Sequence, residues 1–277
     1  MILSKEYWTV GYEPNQYCLE GFRFRSKKSS GTRMLIQGLG CEGEVIWKYF
    51  VNDFSNINTS RDLISFNVRG IGNSEGSPQS FEQIIEDTVQ VIQMEKPPVQ
   101  LIGHSLGGLI ALRVAERIPN LIDSVVLVCS NPRYTLKSKS GFVWRANQIE
   151  KFRSVSCIFE KVIPRSFSEE FILTQEKDVL EFTKMLNKQN YLNYSKLSRI
   201  ASEADALQAF DQISVPILMI VGAEDPSITF ESSVKFASRI NCDVTKVQGS
   251  GHNIPLENPR ALSLSIENFD NYLLNNS

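Results

Sequence analysis

Short runs of apolar residues alternate with longer amphipathic stretches along most of this chain. Arg33-Met-Leu-Ile-Gln37, Asp62-Leu-Ile-Ser-Phe-Asn67, Val99 to Ile102, Ser124-Val-Val-Leu-Val-Cys129, Val215 to Val221 and Val244 to Val247 are short and largely apolar. Runs of that length and character predict strands, with the more continuous ones buried on both faces. Between them, Ser80 stands as an N-cap before Phe81, Ile84, Ile85, Thr88 and Ile92, which follow the 3.6-residue period until Pro97-Pro98 ends the helix. Further helices are predicted to begin with Val45, Ile46, Trp47, Tyr49 and Phe50, and to run after Ser105 up to Pro119, over Glu231 to Ile240, and after Asn258-Pro259. Tyr7 to Glu13 and Tyr17 to Arg25 read as two strands joined by a turn at Pro14-Asn15-Gln16. The alternation predicts an α/β fold, a doubly wound and mostly parallel sheet whose site lies at the C-terminal strand edges.

The alternation breaks at Asn131-Pro132. From 133 to 213 the spacing is helical, as with Val179, Phe182, Thr183 and Leu186 on one face, and no strand is evident. The expected organisation is therefore a core of residues 1–132 and 214–277 with a helical insertion, 133–213, over the sheet edge. Phe142, Trp144, Phe152, Phe159, Phe167, Phe171, Phe182, Tyr191, Tyr194 and Phe210 make this stretch aromatic. They suit an apolar substrate pocket and the insertion's own core equally well.

Composition narrows the function. The chain has 277 residues, 42% hydrophobic and 22% charged, with a net charge of −2, so nothing in its charge favours nucleic acid. No apolar run reaches the ~20 residues of a membrane span, and Met1 to Val10 lacks a signal-peptide core. The five cysteines are dispersed without a CxxC pair, which fits reduced thiols in a cytoplasmic protein. With two histidines in all, neither a zinc site nor another metal or cofactor is expected. Arg23, Arg25, Lys27, Lys28 and Arg33 surround Ser29-Ser30-Gly31 and read as a solvated hairpin tip.

The chemistry begins at Gly103-His-Ser-Leu-Gly-Gly108, between a buried strand and a packed helix. Glycines two before and two after Ser105 permit a sharp turn that lifts the hydroxyl above the sheet, the form of a nucleophile elbow. A serine needs a general base and an acid to orient that base. His104 should point away from the hydroxyl by strand alternation, whereas His252, in Gly249-Ser-Gly-His-Asn253, falls at the C-terminal sheet edge. Asp225, backed by Pro226, is preferred over Glu224 as the acid. The order Ser105, Asp225, His252 suits this class of elbow. Backbone NH groups of Leu106 and of Leu39, in the glycine loop after the strand Arg33 to Gln37, are the candidate oxyanion donors.

With these segments in order, together with Asn67-Val-Arg-Gly-Ile-Gly-Asn-Ser-Glu-Gly76, the chain resembles the α/β-hydrolases outside its insertion. The resemblance implies that the insertion is a lid and that an acyl-enzyme forms on Ser105 and is hydrolysed by water. Gln37 stands where that family usually has histidine, and Asn67 where it usually has aspartate. The implied activity is cleavage of a small, apolar carboxylic ester. The alternatives are a thioesterase or acyltransferase acting on acyl-CoA or on chains held by an acyl carrier protein, and a non-hydrolytic small-molecule receptor. Gly38, Gly40 and Gly43 also satisfy the dinucleotide pattern G-x-G-x-x-G, but Asn67 replaces the acid that pattern requires at the end of the next strand.

Overall fold

The computed structural model describes residues 4–56 and 60–275. Met1 to Leu3, the start of the stretch read for a signal peptide, lie outside the described residues. So do 57–59 and 276–277, both within the expected core. Eight strands form one sheet: β1 (Ser4–Tyr12), β2 (Asn15–Phe24), β3 (Thr32–Ile36), β4 (Asp62–Phe66), β5 (Val99–His104), β6 (Ile122–Val128), β7 (Ile217–Gly222) and β8 (Asp243–Val247). Their order is β1-β2-β4-β3-β5-β6-β7-β8, with the β1–β2 and β2–β4 pairs antiparallel and every other pair parallel. Every residue of β3, β4, β5 and β7 is buried, as expected of strands covered on both faces, whereas the edge strands β1 and β8 carry exposed positions.

The helices of the first half are α1 (Gly43–Ile46), α2 (Lys48–Asn56), α3 (Phe81–Gln93) and α4 (Leu106–Arg117). Ser80 caps α3 by accepting from the Gln83 NH, as its position before the amphipathic run predicts. The helix expected to begin over Val45 to Phe50 is divided at Trp47, a fully buried side chain packed edge-on against Phe50. From β3 the chain steps to β4 on one side and then returns to β5 on the other. That reversal is the topological switch point, and it opens a crevice beyond the C-terminal ends of β3 and β5.

Residues 133–213 hold α5 (Leu136–Phe152), α6 (Phe159–Ser166), α7 (Glu169–Thr174), α8 (Glu176–Lys188), α9 (Tyr191–Glu203) and α10 (Leu207–Gln212). Arg133 and Asp205 form a short antiparallel bridge, so the stretch leaves and rejoins the sheet layer at nearly one point. Phe167 stacks on Phe171 and meets Phe182 edge-on, so part of the aromatic content is the insertion's own core. Lys48 to Asp178 and Glu181, Glu42 to Gln189, and Ser166 to Asn253 tie these helices to the layer beneath. The chain ends with α11 (Phe230–Ala237), α12 (Ile254–Glu257) and α13 (Pro259–Asn275).

The reading of Arg23 to Arg33 as a solvated hairpin tip is corrected by the sheet order. β2 pairs with β1 and β4 and not with β3, so the segment is a crossover. Arg25, Lys27 and Lys28 are exposed. Arg23 and Arg33, however, are buried inside the strands and held by Glu95 and Asp270 respectively. Charge alone did not reveal which members of the cluster lie in strands and which in the loop.

Candidate active site

Ser105 occupies the turn between β5 and α4 with φ 54° and ψ −119°, a conformation that costs a non-glycine residue about 1–3 kcal/mol. The neighbourhood enforces it. The Ser105 NH donates to Val128 O at 3.0 Å, and the Ser130 hydroxyl donates to Ser105 O at 2.7 Å. A Cβ on Gly107 would lie 2.1 Å from Ile36 O, and one on Gly103 2.4 Å from Gly107 O. Those two positions therefore accept no side chain while the turn keeps this shape.

His252 lies between β8 and α12, with Nε2 3.0 Å from Ser105 Oγ and Nδ1 2.6 Å from Asp225 Oδ2. Asp225 follows β7 with its side chain fully buried, and its Oδ1 accepts the NH groups of Ser227 (2.8 Å) and Ile228 (3.0 Å). Glu224 is exposed. The structure thus brings Ser105, His252 and Asp225 into one hydrogen-bonded chain. Burial opposes the charge on Asp225, but His252 and the two NH groups outweigh it and hold the pKa below the ordinary carboxylate value. Burial likewise opposes a proton on His252, and the Asp225 carboxylate overcomes it, raising the pKa above that of an ordinary imidazole.

His104 is buried, and burial, reinforced by the neighbouring His252, pushes its pKa down to about 3. It is therefore neutral, and its Nε2 contacts His252 O at 2.8 Å. With a proton on that nitrogen the ring donates to the His252 backbone and braces the loop that carries the imidazole. Spacing alone did not suggest that brace. The two departures at the loop bases also meet: Gln37 Nε2 donates to Phe66 O (2.7 Å) and Asn67 Oδ1 (3.2 Å), while Asn67 Oδ1 accepts the Gly43 NH (2.9 Å). A neutral amide pair thus ties the ends of β3 and β4 together.

Leu39 lies in the turn after β3, and Leu106 is the first residue of α4. Among the described residues neither NH donates to another protein group, and an NH in the first turn of a helix has no intrahelical partner. Gly40, with φ 70°, lies under the Tyr194 ring, where a Cβ would approach to 2.2 Å, so the insertion covers the glycine loop. A cavity of about 360 Å³ opens over Ser105, with Leu39 and His252 on the sheet side and Tyr134, Phe142, Trp144 and Arg145 on the other. Its size suits a small organic molecule.

Sequence spacing missed Tyr134 and Arg145, because neither belongs to a recurring motif. Tyr134 is buried beside Ser105, its hydroxyl has no hydrogen-bond partner of normal geometry, and burial pushes its pKa well up, so it stays a potential donor. Cys129, Asp225 and His252 present donor atoms within 4.8 Å of one another, the one such metal-sized group among the described residues. Asp225 and His252 already bond each other, and burial keeps the Cys129 thiol protonated, so these atoms form no open ligand set.

The sequence model of the alpha/beta hydrolase fold matches residues 34–259. The chain is 23% identical to a 3-oxoadipate enol-lactonase of Acinetobacter baylyi, over 74% of this chain and 77% of that protein. It is 27% identical to a pimeloyl-[acyl-carrier protein] methyl ester esterase of Hamiltonella defensa, over 69% and 74%. Among solved structures, a thermophilic esterase from Thermogutta terrifontis superposes with a TM-score of 0.83 at 18% identity, covering 97% of this chain and 98% of that one. The match along the chain, the shared architecture and the serine held in a strained strand-to-helix turn have one explanation: this protein belongs to the α/β hydrolase fold family.

Proposed function

We propose that this protein is a serine hydrolase that cleaves small carboxylic esters through an acyl-enzyme on Ser105. The observation that carries the reading is the chain Ser105 Oγ to His252 Nε2 at 3.0 Å and His252 Nδ1 to Asp225 at 2.6 Å, ending on a serine with φ 54°. Ser105 Oγ attacks the carbonyl carbon while His252 Nε2 takes its proton, and Asp225 stabilises the imidazolium. The carbonyl oxygen becomes an anion that accepts the NH groups of Leu39 and Leu106, each donor being worth roughly 3 kcal/mol. His252 returns the proton to the departing alkoxide oxygen, the alcohol leaves, and the ester of Ser105 remains. Water, deprotonated by His252 Nε2, then attacks that ester, the bond to Ser105 Oγ breaks, His252 returns the proton to that oxygen, and the acid leaves.

Residues 133–213 act as a lid on the core in this reading, since they roof the cavity above Ser105. Relatives that are named a lactonase and a methyl ester esterase support an ester bond as the target. The second of these is named for a substrate on an acyl carrier protein, and that favours a carrier-bound acyl chain as the alternative substrate. The five cysteines are all free thiols, which supports a cytoplasmic setting, and no helix among the described residues is long and apolar enough to cross a membrane. A fluorophosphonate probe should label the wild-type protein and leave Ser105→Ala unlabelled. A panel of esters and matching thioesters over several acyl lengths should show turnover led by the esters. Labelling that persists in Ser105→Ala refutes the assignment of the nucleophile.

A further inference from the structure

The cavity beside Ser105 carries side-chain charge of one sign. Lys137 and Arg145 of α5 and Lys161 and Arg165 of α6 border it, and among the described residues no aspartate or glutamate does. Lys137, Lys161 and Arg165 are exposed, whereas Arg145 is half-buried. The other arginines that are not exposed each hold a carboxylate: Arg23 with Glu95, Arg33 with Asp270, Arg61 with Asp123, Arg69 with Asp87, Arg113 with Glu116 and Arg199 with Glu150. Arg145 has no such partner among the described residues. Its single side-chain hydrogen bond runs from Nη1 to Tyr194 OH at 3.5 Å, at the outer limit of contact.

A guanidinium has five N–H donors in a planar fork, and the one long bond to Tyr194 leaves most of those of the half-buried Arg145 without a protein acceptor. Arg145 borders the same cavity as Ser105, Tyr134 and His252. The Arg145 guanidinium lies over the Phe142 ring, its central carbon 5.5 Å from the ring centroid, a cation–π contact that uses none of its N–H donors. A fork of this kind matches a flat, singly charged carboxylate bidentately. A dianionic phosphate would be short of donors there, since the other three cations are exposed.

We propose that Arg145 anchors a second, ionised carboxylate of the substrate, so that the enzyme acts on small esters or lactones bearing a free carboxylate. The linker between the two groups lies along Phe142 while the ester carbonyl sits at Ser105. Lys137, Lys161 and Arg165 draw the anion toward the mouth. The proposal rests on the ester-hydrolase reading for what is cleaved, but not for what is bound.

Binding and turnover therefore test it separately. In Ser105→Ala, calorimetry with glutarate, adipate and pimelate should detect binding of at least one dicarboxylate. Its neutral diamide should bind at least about tenfold more weakly, and Arg145→Gln in the same background should lose at least about tenfold in affinity, with Arg145→Lys recovering part of it. Failure of all three dicarboxylates to bind, equal binding of the diamide, or an affinity unchanged in Arg145→Gln would overturn the assignment. So would inorganic phosphate binding more tightly than the dicarboxylate through Arg145. In the wild type, the ratio of kcat/KM for a dicarboxylate monomethyl ester to that for its dimethyl ester should fall at least about tenfold on Arg145→Gln. Dicarboxylate binding through Arg145 without turnover of any ester would leave the anchor standing and refute the hydrolase.

Discussion

Replacing Asp225 by asparagine tests the proposed mechanism with almost no change in shape. Oδ1 of the native side chain accepts two backbone NH groups, at 2.8 and 3.0 Å, so the amide oxygen of an asparagine must take that place and its NH2 must face His252. The reverse orientation would set two donors against two donors in a fully buried site. The amide then donates to Nδ1 of His252, which becomes an acceptor, and the ring proton moves to Nε2. That nitrogen faces Ser105 Oγ at 3.0 Å and can no longer receive the hydroxyl proton. A base fixed in the wrong tautomer loses about 10⁴-fold in kcat, or about 5 kcal/mol of barrier. The pH profile supplies an independent sign. In the wild type the acid limb of kcat/KM should lie above the ordinary imidazole pKa, because Asp225 raises that of His252 against the effect of burial. In Asp225→Asn burial remains and the attraction is gone, so the residual activity should retain its alkaline side and shift its acid limb to lower pH. The assay is hydrolysis of p-nitrophenyl acetate across pH, with circular dichroism to check folding. A folded variant within about tenfold of wild type, or one with an unmoved acid limb, would refute the proton path.

Two further substitutions probe the elbow. Gly107→Ala places a methyl group 2.1 Å from the Ile36 carbonyl, a backbone atom that cannot rotate away. It should cost about 3 kcal/mol in chemical denaturation and sharply slow fluorophosphonate labelling, at the upper end of overpacking penalties; near wild-type stability would show that the turn relaxes freely. Ser105→Ala and Ser105→Gly both remove the hydroxyl, but glycine accepts φ 54° far more readily. The glycine variant should therefore be the more stable by about 1 kcal/mol, and equal midpoints would show that the turn stores no strain.

Legibility in the sequence followed range of interaction. Strands such as Leu63 to Phe66 and Leu101 to Gly103 were readable because a strand buried on both faces must be apolar at nearly every position, whatever else surrounds it. The Ser80 cap was readable because its partner, the Gln83 NH, lies three residues away. Ser105, Asp225 and His252 could be nominated because each stands in a short turn motif at the end of a strand, and a parallel sheet gathers those ends at one edge. What depends on distant partners was hidden. Arg23 and Arg33 share a basic cluster with exposed neighbours in the sequence, and their burial against Glu95 and Asp270 follows from the sheet order. Strand alternation turns His104 away from the Ser105 hydroxyl but does not name the partner it meets, the His252 carbonyl 148 residues along the chain.

The same distinction separates chemistry from selectivity in this fold. In the proposed reaction the geometry is fixed by short turns at the C-terminal ends of β3, β5, β7 and β8, so a change there should disturb catalysis on every substrate. The opposing wall comes from α5, α6, α8 and α9, and these helices need only an amphipathic pattern to pack. That pattern constrains Phe167, Phe171 and Phe182, which pack on one another, as core packing constrains Tyr134 against Phe142, but it does not specify the half-buried Arg145. The residues most informative about the substrate are consequently those about which periodicity says least. Arg145 is legible only as an imbalance of charge: six arginines that are not exposed have carboxylate partners, and the seventh, which borders the cavity, has no carboxylate partner among the described residues.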